Sequence, residues 1–230
     1  PDAFARAGLL PAPIERFLKG THPGKHQGRQ FWMKDQTSEY YRRHLMVHEA
    51  THCFMASGGD IRLPVWYLEG TAELFATHRL DPATRRASFA VMPSDEQQFP
   101  GWGRIGMLRR DVKRGRLPGF DRLAGLWKLQ HERIETYAWS SSFTKFLDTH
   151  PRYQKRFRGL GDHLHDGRFT AELRRVFRDD WSRLNFEWRL AARHLVAGYD
   201  FERTVIQFHP AVPLPAKGSK TSSPSWGNRD

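Results

Sequence analysis

The residues with the clearest chemistry are two histidines separated by one turn of a predicted helix. Residues 48–52 read His-Glu-Ala-Thr-His. A spacing of four residues places His48 and His52 on one face of a helix, one above the other. Both imidazoles can then reach a single zinc ion at about 2.0–2.1 Å. Glu49 is rotated to one side of the pair, where it can hold an attacking water and act as the general base without binding the metal.

A second predicted helix supplies the carboxylates that such a site needs. Residues 66–73 read Trp-Tyr-Leu-Glu-Gly-Thr-Ala-Glu, and a catalytic zinc takes three protein ligands and keeps one open position. Glu69 is the candidate third ligand, because a turn at Gly58-Gly59 lets this helix pack back. Glu73 lies on the same face and can accept a hydrogen bond from the far nitrogen of a zinc histidine, preferably His48. The alternative is that Glu69 and Glu73 form a solvated pair on the helix surface. The apolar residues around them in the sequence disfavour it.

The two motif helices are predicted over residues 38–57 and 65–78. Apolar residues at spacings of three and four indicate the first, which Ser38 can cap, and Pro64 is well placed to open the second. Residues 1–37 are rich in Pro, Gly and His. We interpret them as a loop-rich segment, including His22 and His26, with a candidate edge strand at Gln30–Met33.

The remaining segments complete a mostly helical α+β chain. A metallopeptidase-like domain is expected over 38–209, with a short strand near 87–92 and a helical lobe at about 102–197. Helices are predicted within that lobe near 102–115, 133–149, 170–179 and 181–197. Residues 210–230 are rich in Pro, Ser and Gly and are expected to be a disordered tail or linker.

The HExxH motif at 48–52 and the W-x-x-E-G-x-A-E segment at 66–73 together resemble the gluzincin metallopeptidases, above all an uncharacterised bacterial HExxH group that carries this second segment. The resemblance implies a gluzincin-like catalytic lobe, a small sheet before the zinc helix and a helical C-terminal subdomain. It also implies Glu69 as the third ligand and Glu49 as the water-activating base. The G-x-M-E-N segment of aminopeptidases and the third histidine of metzincins are absent.

Gluzincin relatives stabilise the oxyanion with a Tyr or His from a downstream helix. The resemblance therefore makes Tyr137 the candidate donor, since it precedes the Ser140-Ser141-Ser142 run on a predicted helix at a matching distance. His131 is the second choice. The alternative for Tyr137 is an ordinary half-buried helix tyrosine.

Charge and composition limit the classes of function that this chain can have. The net charge is +12 and the pI is about 10.2, but the basic pairs are scattered and no nucleic-acid-binding module accompanies them. No apolar run approaches the roughly 20 residues that span a bilayer. Cys53 is the single cysteine, so no intrachain disulfide can form.

Because the chain begins at Pro1 without a leader, we expect a processed piece of a longer protein. An extracytoplasmic or cell-envelope location suits its basic surface.

These observations favour a zinc-dependent peptidase that binds one Zn²⁺ per chain and cleaves a peptide or protein substrate, as an endopeptidase. Two other classes remain open. One is a catalytically inactive gluzincin-fold protein that binds or scaffolds, and the other is a basic domain that binds an anionic polymer. A zinc hydrolase of a non-peptide amide also fits, because the motif defines the metal and the water but not the substrate.

Overall fold

The structure, a computed structural model, describes residues 6–8, 12–20, 22–59, 61–91, 103–125 and 134–195. These residues are mostly helical and include two small antiparallel sheets. In chain order the elements are α1 (Ala12–Lys19), β1 (Gly24–Gln27), β2 (Gln30–Met33), α2 (Glu39–Ala56), α3 (Val65–Ala76), β3 (His78–Leu80), β4 (Ala87–Phe89), α4 (Arg104–Lys113), α5 (Phe120–Ala124), α6 (Ile134–Thr149), α7 (Gln154–Gly159), α8 (Phe169–Phe177) and α9 (Trp181–His194), with short 3-10 helices at Leu160–His163 and Arg178–Asp180.

The mostly helical fold with a small sheet before the histidine helix is confirmed. The strand predicted at Gln30–Met33 is confirmed as β2, whereas Ala12–Lys19 and Gly24–Gln27, which were interpreted as loop, form α1 and β1. Helix α1 forms there because Phe17 is buried, and β1 forms because it pairs with β2 although its own sequence, Gly-Lys-His-Gln, is polar. His131 and the tail at 210–230 lie outside the described residues.

The hairpin of β1 and β2 packs against helix α2. Its register pairs Gly24 with Met33 and His26 with Phe31. Gly28 lies at the first position of the two-residue turn with φ +57°, a left-handed conformation that glycine adopts without a steric penalty. This short turn sets the register, and so determines which side chains of β1 face α2.

Helix α2 carries the histidine motif and has a defined start. Ser38 is its N-cap and accepts a hydrogen bond from the Tyr41 backbone N–H at 3.1 Å, as the sequence suggested. Two glycines, Gly58 and Gly59, follow its end, and Gly59 has φ +132°. The buried face of the helix includes the polar residues His44, His48, Glu49 and His52. A buried face with four ionisable groups has a large desolvation penalty, so it needs internal partners.

Helix α3 lies at the centre of the described fold, between α2 and α6. Pro64 precedes it in an extended conformation and acts as its N-cap residue. Nearly every side chain of the helix is buried, which is typical of a helix surrounded by other elements. Trp66 anchors it in an aromatic core, with ring centroids 5.1 Å from Phe143 of α6, which in turn lies 5.1 Å from Trp188 of α9. None of the described helices combines the length and the apolar character needed to cross a bilayer.

Gly70 allows α3 and α6 to pack closely. A Cβ atom at this position would lie 2.6 Å from the Ser140 carbonyl oxygen and would also clash with Thr144 Oγ1. We expect Gly70→Ala to destabilise the protein by about 1–3 kcal/mol, because the backbone of α6 cannot move aside as a flexible side chain can. Denaturant unfolding of the two proteins measures the difference.

Gly159 in α7 provides the matched control for this substitution. Its φ is −63° and nothing lies within 4 Å of a Cβ added there. Gly159→Ala should be neutral or stabilising by up to about 1 kcal/mol, since it removes conformational freedom from the unfolded chain. Equal stability of Gly70→Ala and wild type would contradict the close packing of the two helices.

Candidate metal centre

Three ligand-type side chains from helices α2 and α3 converge in the interior. His48 Nε2 lies 3.0 Å from His52 Nε2, and Glu69 Oε2 lies 3.2 Å from the first nitrogen and 3.4 Å from the second. All three residues are buried. The helical spacing of four aligns the two imidazoles, and the packing of α3 on α2 brings the carboxylate to them.

This triangle has the dimensions of one face of a zinc tetrahedron. Metal–ligand bonds of about 2.0–2.1 Å at tetrahedral angles put the ligand atoms about 3.3 Å apart. The observed edges of 3.0, 3.2 and 3.4 Å match that value. Two ring nitrogens and one carboxylate oxygen also face one another in a buried place, and a shared cation would stabilise this arrangement. The residues present therefore fit a zinc ion.

The pKa values of the two histidines of the triangle shift in opposite directions. Burial by itself lowers the pKa of His48, but the neighbouring Glu69, Glu73 and Glu49 outweigh it and raise the pKa. Burial dominates at His52 and lowers its pKa, with Glu69 acting against it. A metal binds the neutral form of an imidazole, so metal affinity should fall as the solution becomes more acidic.

Glu73 lies behind His48 and holds its ring. Glu73 Oε1 is 3.5 Å from His48 Nδ1, the nitrogen that points away from the triangle. The same carboxylate lies 3.2 Å from His44 Nε2 and accepts hydrogen bonds from Arg104, the shorter at 2.9 Å. Burial alone would raise the pKa of Glu73, but Arg104, His44 and His48 hold it well below its usual range. Glu73 is therefore an ionised acceptor placed to orient His48.

A second group of potential ligands shares one histidine with the triangle. Atoms of His44, His48 and Glu73 lie within 4.8 Å of one another. Arg104 already donates to both oxygens of that carboxylate, so Glu73 is neutralised by a permanent cation. The triangle with Glu69 is consequently the better metal site.

Glu49 faces the N-terminal hairpin. Its Oε2 lies 3.4 Å from His26 Nδ1, and the His26 ring stacks on His52 with 4.5 Å between centroids. Gly24 lies over the other oxygen so closely that an added Cβ would be 2.9 Å from Glu49 Cδ and 2.8 Å from Leu45 Cδ1, and would clash with Glu49 Oε1. The hairpin therefore positions the proposed base from outside the helix.

A cavity of about 240 Å³ opens beside Glu49 and His48. Besides these two residues, its wall is formed by His22, Pro23, Gly24, Tyr41, His44, Leu45, Glu73, Arg104 and Tyr137. Concave sites with a few convergent polar groups are the usual places where small ligands and substrates bind. The cavity gives a ligand access to the proposed base.

Tyr137 projects from α6 toward the same cavity. Its ring centroid is 6.4 Å from that of His48, and the Arg104 guanidinium carbon lies 5.0 Å from the Tyr137 ring centroid. Burial is the main cause that raises the pKa of Tyr137, so the phenol keeps its proton at neutral pH and can donate a hydrogen bond. The structure thus brings Tyr137 to the site, as an oxyanion donor would require.

Sequence analysis missed four residues that contact this site: Gly24, His26, His44 and Arg104. His44 had a signal, since it lies four residues before His48 and continues the same stripe of the helix. His26 was assigned to a loop, and the structure places it on β1. Gly24 and Arg104 lie on elements distant in sequence from the motif and had no local signal.

Comparison of the chain with family models, with curated proteins and with solved structures finds no match in any of the three. The motif and the geometry of the described residues are the features of this chain that point to a function.

Proposed function

We propose that the protein is a zinc-dependent peptidase, in which His48, His52 and Glu69 hold the metal and Glu49 is the general base. The observation that carries the proposal is the buried triangle of ligand atoms with edges of 3.0–3.4 Å, next to a cavity that Glu49 lines. In fold terms, we propose a gluzincin-like catalytic lobe. The hairpin before α2 and the carboxylate helix α3 packed on α2 support this assignment.

Each residue then has a defined part in peptide hydrolysis. When bound, zinc would polarise the scissile carbonyl and increase the acidity of a water molecule. Glu49 takes a proton from the attacking water and delivers it to the leaving amine. Tyr137 donates a hydrogen bond to the developing oxyanion. The Glu73 carboxylate, 3.5 Å from His48 Nδ1, attracts a proton on that nitrogen and so favours the form whose opposite nitrogen can bind a metal in the triangle.

Hydrolysis of peptides by the zinc-loaded protein tests the proposal. We expect wild type to generate new peptide termini from a mixture of unfolded proteins, detected by mass spectrometry, and a chelator to stop the reaction. Glu49→Gln should bind zinc normally and lose about 10²–10⁴ of the rate, since it keeps the shape of the side chain but cannot accept a proton. Equal rates for the two proteins would refute Glu49 as the base. Stoichiometric zinc without hydrolysis would instead favour the binding or scaffold alternative.

Gly24→Ala should reduce turnover without removing the metal. The new methyl group would occupy the place of a Glu49 oxygen and contact Leu45, so the carboxylate must rotate away from its present position. We expect the rate to fall at least about tenfold. This is less than the loss of about 10²–10⁴ expected when the general base is removed altogether. Zinc content should stay at one per chain, because neither Glu49 nor Leu45 belongs to the triangle.

Lys25→Ala is the control for this prediction. Lys25 neighbours Gly24 on the same strand, but its side chain is exposed. Its replacement should leave both rate and zinc content unchanged. If Gly24→Ala and Lys25→Ala behave alike, the hairpin does not position Glu49.

A further inference from the structure

The cavity wall contains an arginine, Arg104, whose ion pair with Glu73 leaves some of its N–H donors unused. Arg104 pairs with Glu73 through its Nε and Nη2 atoms, and its side chain is only 13% exposed. Among the described residues, none accepts a hydrogen bond from its Nη1. Arg104 and Glu49 line the same cavity, and the Nη1 atom of Arg104 carries two N–H donors that no described residue uses.

Tyr41 of helix α2 adds a second donor to the same cavity. Its ring stacks near His44, with 6.2 Å between centroids, and its hydroxyl has no hydrogen-bond partner among the described residues. Burial raises the pKa of Tyr41, while the nearby Arg104 acts in the opposite sense. The phenol is therefore protonated at neutral pH and can donate.

A carboxylate is the chemical group that best uses these donors. It offers two acceptor oxygens in a plane, so one oxygen can accept from Nη1 of Arg104 and the other from the Tyr41 hydroxyl. Glu73 already balances the charge of Arg104, and Glu49 adds a negative charge nearby. The attraction therefore depends on hydrogen bonds and on the cation held at the triangle, and its expected effect on affinity is about tenfold.

We propose that Arg104 and Tyr41 form a subsite that binds a carboxylate of the peptide substrate. The inference rests on the proposed peptidase function and names the substrate class that the site prefers. The carboxylate can be the C-terminus of a short peptide or the side chain of an acidic residue, since both present the same two oxygens.

Binding rather than turnover tests the subsite. Zinc-loaded Glu49→Gln protein would be titrated by calorimetry with three probes: an N-acetylated trialanine with a free C-terminus, the same peptide as its amide, and the amide with glutamate as its middle residue. We expect at least one acidic probe to bind about tenfold more tightly than the neutral amide. The free acid and the glutamate peptide distinguish the two sources of the carboxylate.

Two further variants assign the preference to these residues. Tyr41→Phe removes only the hydroxyl, and Arg104→Lys retains a cation next to Glu73 but loses the Nη1 donors. Each should bring the affinity ratio of acidic to neutral probe toward one, whereas Arg116→Lys, at an ion pair with Asp111 elsewhere, should leave it unchanged. If Arg104→Lys does not fold, the affinity ratio measured for Tyr41→Phe tests the subsite alone.

The outcomes separate this inference from the proposed function. Equal binding of all three probes, no binding of any, or an unchanged ratio in Tyr41→Phe would overturn the carboxylate subsite, even if wild type hydrolyses peptides. A ratio that depends on Tyr41, in a protein whose wild type hydrolyses none of the peptides tested, would support the subsite and count against the peptidase.

Discussion

Glu69→Ala is expected to abolish stoichiometric zinc binding. Glu69 Oε2 is one corner of the triangle, 3.2 and 3.4 Å from the two histidine nitrogens, and no other described residue adds a carboxylate oxygen to this group. Structural zinc sites have apparent binding free energies of about 10–16 kcal/mol, so one ligand accounts for roughly 3–4 kcal/mol. Losing it should weaken zinc binding by about a hundredfold to a thousandfold.

Elemental analysis and chelator competition measure this loss. Wild type and Glu49→Gln should each hold one zinc per chain, because Glu49 contacts the hairpin and not the triangle. Zinc at about 100 times its dissociation constant should also stabilise these two proteins by about 2.7 kcal/mol against unfolding, and should have little effect on Glu69→Ala. One zinc in Glu69→Ala with unchanged affinity would show that the metal lies elsewhere.

The part of the site that sequence analysis predicted is the part that local periodicity determines. His48, Glu49 and His52 follow from one helical turn, and Glu69 and Glu73 follow from the next helix with the same spacing. The structure places all five residues together with Tyr137, which lies on an element far along the chain. The roles of these residues remain predictions until metal binding and turnover are measured.

The part that was missed depends on how distant segments pack. Gly24 and His26 reach Glu49 only because β1 pairs with β2 and the hairpin then lies against α2. The sequence of β1 is polar and contains no strand signal of its own, so pairing and not propensity creates it. Arg104 likewise reaches Glu73 across 31 residues of chain, a contact that no spacing rule predicts.

These packed segments place a second element against three groups of the site, Glu73, His48 and Glu49. α4 contributes Arg104 to Glu73, α3 contributes Glu73 to His48, and the hairpin covers Glu49. Ligand geometry depends on such outer partners, because an imidazole that is free to rotate binds a metal less well. His52 Nδ1, by contrast, has no hydrogen-bond partner among the described residues. His48 is therefore the histidine whose orientation the protein controls.

Glu73→Gln is expected to destabilise the protein by about 3–5 kcal/mol and to weaken zinc binding about 10–100-fold. The carboxylate is 1% exposed and pairs with Arg104, whose side chain is itself largely buried. An amide of the same shape cannot balance that charge, so a buried guanidinium is left uncompensated. The zinc effect follows from His48, which would lose a charged acceptor at Nδ1.

The loss of stability in Glu73→Gln should be largest at neutral pH and should become smaller in acid. The folded state holds the pKa of Glu73 well below its usual range, so the carboxylate stabilises the fold above its unfolded pKa of about 4.3. That contribution is lost as pH falls through the lower folded-state pKa, where wild type itself acquires a proton. The stability difference between wild type and Glu73→Gln should therefore be full at pH 7 and shrink below about pH 4.

Denaturant unfolding of both proteins without metal, from pH 7 to pH 3, measures this difference. Asp148→Asn is the control, because Asp148 pairs at 2.8 Å with Arg158, whose side chain is 59% exposed and screened by water. Its loss should cost less than about 1 kcal/mol. A Glu73→Gln effect as small as that of Asp148→Asn at pH 7, or one that grows on acidification, would show that Glu73 does not act as the buried anion between Arg104 and His48.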